Sequence, residues 1–353
     1  MAGTVAGIAV IDTDVDLSTA NTLALPARAE RLARPADVDE LARVLTGRGA
    51  DPLFVLGGGS NLVLTGDLPG LTVMPVFDEV SYRQVDEGLA QVRVGAGVVW
   101  DRLVADTVAA GWQGLENLSL IPGNVGAAPF QNIGAYGVEL ADVVSTVEAV
   151  SVDDGSNISF DADQCEFAYR DSLFKSRCRG EFIITHLTLN LRRGSDCRLD
   201  SFRLGYGGLA ERLEGGGPVT PARVREAVIA LRQSKLPDPA KLPNAGSFFK
   251  NPVVSLTHYQ RLLERYPDLV SFPVTGGRKL AAGWLIERSG WKGRRLGPVG
   301  MHDQQALVLV NHGGATAVDV LALATAVRED VRQCFGVELE QEPVLMPGAI
   351  GVP

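Results

Sequence analysis

The sequence predicts an α+β protein of more than one domain, and three observations point there. Strand-like and helix-like runs follow one another without a strict strand–helix–strand rhythm. The chain has 353 residues, 46% hydrophobic and 21% charged, which is a globular composition long enough for two or three domains. Its 40 glycines keep no fixed period, which excludes collagen-like and solenoid chains, and they gather between apolar runs.

Residues 1–20 open with a short apolar stretch that ends in aspartates and lacks a basic start. They make a poor signal peptide and read as an N-terminal extension or an extra edge strand. Asp37 and Glu40 form a capping box for a helix whose apolar positions are Val38, Leu41, Val44 and Leu45. The run PLFVLGGGSNLVLT reads as strand, glycine turn, strand, and a hairpin turn would look the same. QVRVGAG is an alternating strand with a turn, and Val98 to Ala110 is an amphipathic helix ending at Gly111. Residues 118–137, LSLIPGNVGAAPFQNIGAYG, carry no long period, and a polar, glycine-rich loop of that length is usually functional.

VVSTVEAVSV and EFIITHLTLNLR are strand-like, and Gly215-Gly216-Gly217-Pro218 is the best domain boundary. Thr220 then caps a helix with Pro221 at its first position and Val224, Ala227, Val228 and Leu231 as its buried stripe. Another helix runs from about Ala317 to Cys334 and stops at Gly336, and VELEQEPVLM follows as a short strand.

Several function classes are disfavoured. No apolar run approaches the roughly 20 residues of a membrane span. Cys165, Cys178, Cys197 and Cys334 show no CxxC spacing, which argues against a disulfide framework and fits a reducing cytoplasm. His186, His258, His302 and His312 show no ligand spacing, so no metal is expected. A net charge of −9 argues against nucleic acid. Between Pro221 and Arg295, however, 14 Lys/Arg face 5 Asp/Glu, a local balance of +9. That excess suits either a site for a small anion or a solvated basic face.

Gly57-Gly58-Gly59-Ser60-Asn61 lies between apolar strands, where glycines admit a diphosphate and successive N–H groups form an anion nest. A strand follows the turn, so it is not a Rossmann fingerprint. The second loop adds backbone donors and the amides of Gln131 and Asn132, a surface that an isoalloxazine ring and its diphosphate would need.

Four motifs then carry a resemblance. LGGGSNLVL, IPGNVGAAPFQNIGAYG, YRDSLFK (Tyr169 to Lys175) and NAGSFFKNP (Asn244 to Pro252), in that order, resemble the MurB family of UDP-N-acetylenolpyruvoylglucosamine reductases. The likeness runs from about Asn21 to Leu345. It implies a two-subdomain, PCMH-like FAD-binding fold over about 21–214 (divided near 88), a UDP-sugar domain at 218–336, and a C-terminal strand and tail at 337–353. It also implies a cytoplasmic enzyme of peptidoglycan precursor synthesis, expected to be a monomer. NADPH reduces non-covalent FAD, hydride passes to C3 of the enolpyruvyl group, and C2 takes a proton.

By the same resemblance the cofactor is held by Gly57, Gly58, Gly59, Ser60, Asn61, Pro122, Gly123, Gly126, Ala127, Gln131 and Asn132. Arg170 would bind the substrate carboxylate bidentately, against the plainer reading of an ion pair with Asp171. Ser247 would donate the proton, against a plain turn serine. Glu342 would be a carboxyl kept protonated by burial and a like charge, with Glu340 a rival on the same strand face. Tyr136, Tyr206, Arg232, Lys235, Asn251 and Gln305 would contact the UDP-sugar, Tyr206 marking the loop-bearing branch of the family.

Two alternatives stand beside this reading. An oxidase with covalently attached FAD would commonly use a histidine or cysteine in the flavin loops, and 57–61 and 121–137 hold neither. A non-catalytic nucleotide-sugar binder is disfavoured by Arg170, Ser247 and a C-terminal glutamate occurring together.

Overall fold

The computed structural model describes residues 10–193, 202–215 and 217–347. Cys197 and Gly216, residues 1–9 and the tail beyond Pro347 lie outside the described residues. The chain divides into two compact units. The first takes in the segment up to Val15, Ala29–Gly58 and Leu68–Ser234; the second takes in Asp16–Arg28, Gly59–Asp67 and the chain from Lys235 onward.

Two larger sheets and a two-stranded one, Gly134–Ala135 with Val138–Glu139, lie in the first unit among the described residues. In the smaller of the larger two, Leu68–Val73 runs parallel to Arg28–Ala33 on one side and to Leu53–Val55 on the other. Ile11–Asp16 adds an edge strand, one of the two readings expected of the N-terminal segment. Helix α1 (Val38–Arg48) buries Leu41, Val44 and Leu45. Its cap differs slightly from the reciprocal box. Asp37 accepts from the Glu40 N–H at 2.7 Å, but the Glu40 carboxylate reaches back to Ala36 N rather than to Asp37 N.

The larger sheet is antiparallel, in the order Asn157–Asp161, Val144–Ser151, Phe182–Arg193, Leu89–Gly95, Val80–Gln84. Helix α2 (Trp100–Ala109) starts two residues later than expected and turns Trp100, Leu103, Val104 and Val108 into the core. Helices α3 (Leu209–Leu213) and α4 (Pro221–Lys235) share a smaller core of Leu209, Leu213, Val224, Val228 and Leu231. The buried stripe expected of α4 is the observed one. Each such side chain contributes about 1.5–3 kcal/mol when fully buried.

The second unit has a sheet in the order Asn244–Ser247, Val308–Asn311, Val299–Met301, Arg295–Leu296, and a three-stranded sheet centred on Gly277–Leu280. Helices α5 (Leu256–Arg265), α6 (Ala282–Arg288) and α7 (Ala317–Phe335) complete it. Thr316 and Asp319 cap α7 reciprocally, and Gly336 ends it in a left-handed conformation, φ 64°. No described helix is long and apolar enough to cross a membrane.

The strand, turn, strand reading around Gly57–Asn61 holds, and the hairpin that would look the same is not formed. Leu53–Val55 pairs with Leu68–Val73, whereas Leu62–Leu64 pairs in parallel with Val344–Met346. The expected C-terminal strand needs correction, because it is shorter than VELEQEPVLM. Only Val344–Met346 is strand, and Gln341 makes one isolated bridge to Phe249. Pro343, which has no N–H, separates the two pairings.

Candidate active site

In the first unit the two glycine loops meet. A Cβ on Gly58 would stand 2.8 Å from Gly123 Cα, and one on Gly57 3.6 Å from Ala127 Cβ. A Cβ on Gly126 would come within 2.6 Å of Ala96 Cβ, so neither Gly58 nor Gly126 has room for a side chain. Among the described residues the N–H groups of Gly57, Gly58, Gly123 and Asn124 donate to no backbone carbonyl. Gly126 N, by contrast, is spent on Ala96 O at 2.9 Å. Gly58, Pro122 and Ala127 are exposed. Uncommitted N–H groups on two facing turns are what a diphosphate requires of a backbone, so these residues fit a flavin dinucleotide.

The run Gly57–Asn61 is divided, because Gly59, Ser60 and Asn61 belong to the second unit. Gly59 has φ 62°, and a Cβ there would fall 2.0 Å from Ala20 O, so glycine is required by packing alone. Asn61 receives Val344 N at its carbonyl, 3.0 Å, and its Nδ2 donates to Glu342 O at 3.4 Å. Asn61 therefore holds the C-terminal segment.

Asn132 departs from the expected cofactor role. It is 1% exposed, and its Nδ2 donates to Glu139 Oε2 (2.8 Å) and Ala168 O (3.1 Å). Its Oδ1 accepts from Ala141 N at 3.0 Å, so the carboxamide is spent on holding protein loops together. Its neighbour Gln131 is half-buried.

Arg170, Tyr136, Tyr206 and Arg232 all lie in the first unit. Arg170 adopts φ 56°, and its guanidinium donates to Gly134 O at 3.0 Å. The adjacent Asp171 accepts from Ser172 N at 2.9 Å and from the Ser176 hydroxyl. Tyr136 (φ 50°) and Tyr206 meet edge to face, ring centroids 6.2 Å apart. Leu120, Asn132, Tyr136 and Arg170 are non-glycine residues in left-handed conformations on these loops. Such strain costs of order 1–3 kcal/mol each and collects at functional sites.

The electrostatics of this group turn on Arg232. Burial pushes its guanidinium pKa down and that of the nearby Tyr136 phenol up. Among the described residues, the buried Arg232 Nε has no hydrogen-bond partner. The carboxylate of Asp101, whose charge acts on Arg232, is engaged elsewhere. Asp101 on α2 pairs with both guanidinium nitrogens of Arg225 at 2.7 and 3.0 Å and accepts from Leu120 N at 2.6 Å. Asp101 and Arg225 were missed in the sequence. The signal was there, because Arg225 and Arg232 are seven residues apart on α4 and so share a face. Lys235, expected beside Arg232, is exposed.

In the second unit, Ser247 ends its strand after Gly246, φ 70°. Among the described residues its hydroxyl makes no hydrogen bond. The next residue, Phe248, accepts from Glu342 N at 2.9 Å, which ties Glu342 to the Ser247 turn. Glu340, the rival, accepts from Lys250 N at 2.9 Å. It ion-pairs with Lys250 and its side chain is 71% exposed. Asn251 uses Oδ1 to accept from Ala282 N at the start of α6, 2.9 Å. Gln305 is half-buried, with Oε1 3.2 Å from where a Gly283 Cβ would stand. Among the described residues no group of His, Cys, Asp and Glu could hold a metal.

Comparison with known proteins extends this geometry. Residues 238–346 match the model of the UDP-N-acetylenolpyruvoylglucosamine reductase C-terminal domain, and 29–161 match an FAD binding domain. The UDP-N-acetylenolpyruvoylglucosamine reductase of Alcanivorax borkumensis is 58% identical over 337 residues, 95% of this chain and 96% of that protein. The reductase of Pseudomonas aeruginosa is 50% identical over 333 residues, 92% of this chain and 96% of the other. The crystal structure of the MurB reductase from Thermus caldophilus superposes with a TM-score of 0.66 at 26% identity, over 96% of this chain and 98% of that one.

Proposed function

The chain belongs to the UDP-N-acetylenolpyruvoylglucosamine reductase family, and on that premise we propose how its residues divide the reaction. The enzyme uses NADPH to reduce the enolpyruvyl group of UDP-N-acetylglucosamine enolpyruvate to UDP-N-acetylmuramate, a step of peptidoglycan precursor synthesis. FAD, when bound, carries hydride from NADPH to C3 of the substrate.

The backbone of Gly57, Gly58 and Gly123 and the 122–127 turn hold the cofactor diphosphate, with Gln131 beside them. Arg232, whose buried charge lacks a protein partner at Nε, takes the UDP diphosphate together with Tyr136, Tyr206 and the exposed Lys235. A buried unpaired donor costs about 1–3 kcal/mol, more when charged, and an external anion removes that cost. Asn251 and Gln305 contact the sugar. Arg170 neutralises the substrate carboxylate as charge builds from C2 into it. Ser247 Oγ–H gives its proton to C2, and the Glu342 carboxyl meets the enolate oxygen.

The observation that carries this reading is in the second unit. Glu342 is tied to the backbone next to Ser247, whose hydroxyl is not committed among the described residues. We assign the flavin function to about 21–214, the UDP-sugar function to 218–336, and a returning catalytic segment to 337–353. The enzyme works as a cytoplasmic monomer.

Anaerobic mixing with NADPH should bleach the flavin absorbance, and adding the enolpyruvyl UDP-sugar should restore it. Ser247→Ala should leave bleaching intact and slow recovery by about 10²–10⁴-fold, the usual contribution of a general acid. Equal slowing of both phases would assign Ser247 a structural role.

A further inference from the structure

The geometry points to Asn117 as a positioning residue for UDP-sugar binding: one buried carboxamide pins the Tyr136 turn and the Tyr206 loop together. Asn117 is 1% exposed. Its Nδ2 donates to Tyr136 O at 2.9 Å and to Arg203 O at 2.8 Å, partners 19 and 86 residues away in sequence. A planar –NH2 carries two hydrogens, and here both are used, one on each loop.

One of these carbonyls belongs to Tyr136 itself and the other to the chain that leads to Tyr206. Tyr136 holds a left-handed conformation, φ 50°, that persists only if its surroundings over-determine it, and the bond from Asn117 to its carbonyl is one such restraint. Arg203 lies three residues before Tyr206. The rings of Tyr136 and Tyr206 meet at 87°, and a Cβ on Gly207 would stand 3.4 Å from Tyr136 Cε1. The loop backbone thus passes directly over the Tyr136 ring. Phe202, Leu209 and Leu213 anchor the loop to α4, which carries Arg232. To these hydrophobic anchors Asn117 adds a hydrogen-bonded tie between the Tyr136 turn and the chain that leads to Tyr206. The pin acts on substrate affinity and not on the reacting atoms.

This inference rests on the proposed placement of Tyr136 and Tyr206 at the UDP-sugar. The test is a kinetic cycle with Asn117→Ala, Asn117→Asp and Tyr206→Ala, alone and combined. Asn117→Ala should raise the substrate KM about 10-fold or more, the effect of losing its two buried hydrogen bonds, with kcat, bound FAD and flavin bleaching by NADPH unchanged. In the Tyr206→Ala background it should change KM by less than about 2-fold, because two residues acting as a unit are not additive. Asn117→Asp keeps the shape and regains one donor on protonation. Its KM, taken relative to the parent enzyme, should recover as pH falls. Multiplicative KM effects, a pH-independent Asn117→Asp defect, or loss of FAD from both Asn117 variants would overturn the inference. If Tyr206→Ala itself leaves KM unchanged, the placement of Tyr206 fails. If Tyr206→Ala raises KM and the Asn117 variants do not, only the pin fails.

Discussion

Arg232 shows how far a single side chain depends on its neighbours. Its Nε is buried without a protein partner among the described residues, while Asp101 is paired bidentately with Arg225. Replacing Arg232 with Ala should weaken substrate binding by about 1.5–3 kcal/mol, the range for a charge-assisted contact to a sequestered anion. Lys235→Ala, at an exposed position, should cost no more than about 1 kcal/mol and fade with salt. Titrating substrate against both variants at two ionic strengths separates them, and an unchanged KM in Arg232→Ala would place its charge outside the site. The two C-terminal glutamates are compared at the same scale. The exposed Glu340 carboxylate ion-pairs with the half-buried Lys250, whereas Glu342 is tied through its N–H to Phe248, next to Ser247. Glu342→Gln should slow flavin reoxidation alone, and Glu340→Gln should change little. Stopped-flow traces in which Glu340→Gln is the slower variant would move the assignment.

Among the elements, the glycine loops are the most constrained. The backbone at Gly58 approaches Gly123, and Gly126 lies against Ala96, so a branched side chain must displace one loop. Gly126→Val should purify with FAD lost or weakly held, read from the ratio of flavin to protein absorbance. Stoichiometric FAD in that variant would refute the proposed cradle. Much at this scale was legible beforehand. The start of α4, the stop of α7 at Gly336 and the buried stripe of α4 follow from local capping and 3.6-residue periodicity. The partners of the two strands around Gly57–Asn61 were not legible, because a short apolar run does not reveal what it pairs with. These strands pair with segments that the turn does not reach, one of them near residue 344.

Across the whole molecule, charge ties strands to one another. Arg93 on Leu89–Gly95 binds Glu148 on Val144–Ser151 through two bonds of 2.7 Å. His186, on the strand between them, pairs with Glu79 and lies 3.8 Å from Glu148. The Arg93 hydrogen bond holds the Glu148 carboxyl below its ordinary 4.5. A carboxylate with a depressed folded pKa contributes stability that is full above the unfolded value and is lost as pH falls through the folded one. Glu148→Gln should therefore lower Tm at pH 7 by roughly 2–4 °C, about 1 kcal/mol for a partly exposed bidentate pair. The difference from the parent should shrink as pH falls below the ordinary carboxylate range, where the parent loses the same charge. A Tm difference that does not vary with pH would assign the effect to packing.

The sequence by itself determined the α+β class, the caps and faces of the helices, the two glycine loops and the family, because each is written in local spacing or in motifs of a few residues. Only the tertiary structure decided which side chains are spent and which are left to act. Asn132 carries a carboxamide on a polar, glycine-rich loop, yet that carboxamide is consumed by Glu139, Ala168 and Ala141. Arg225 and Arg232 stand on one helix, yet only Arg225 is paired with Asp101. The physical reason is that a hydrogen bond or an ion pair is a property of two groups. When the partner lies tens of residues away in sequence, the choice between a structural bond and a free donor is made by packing.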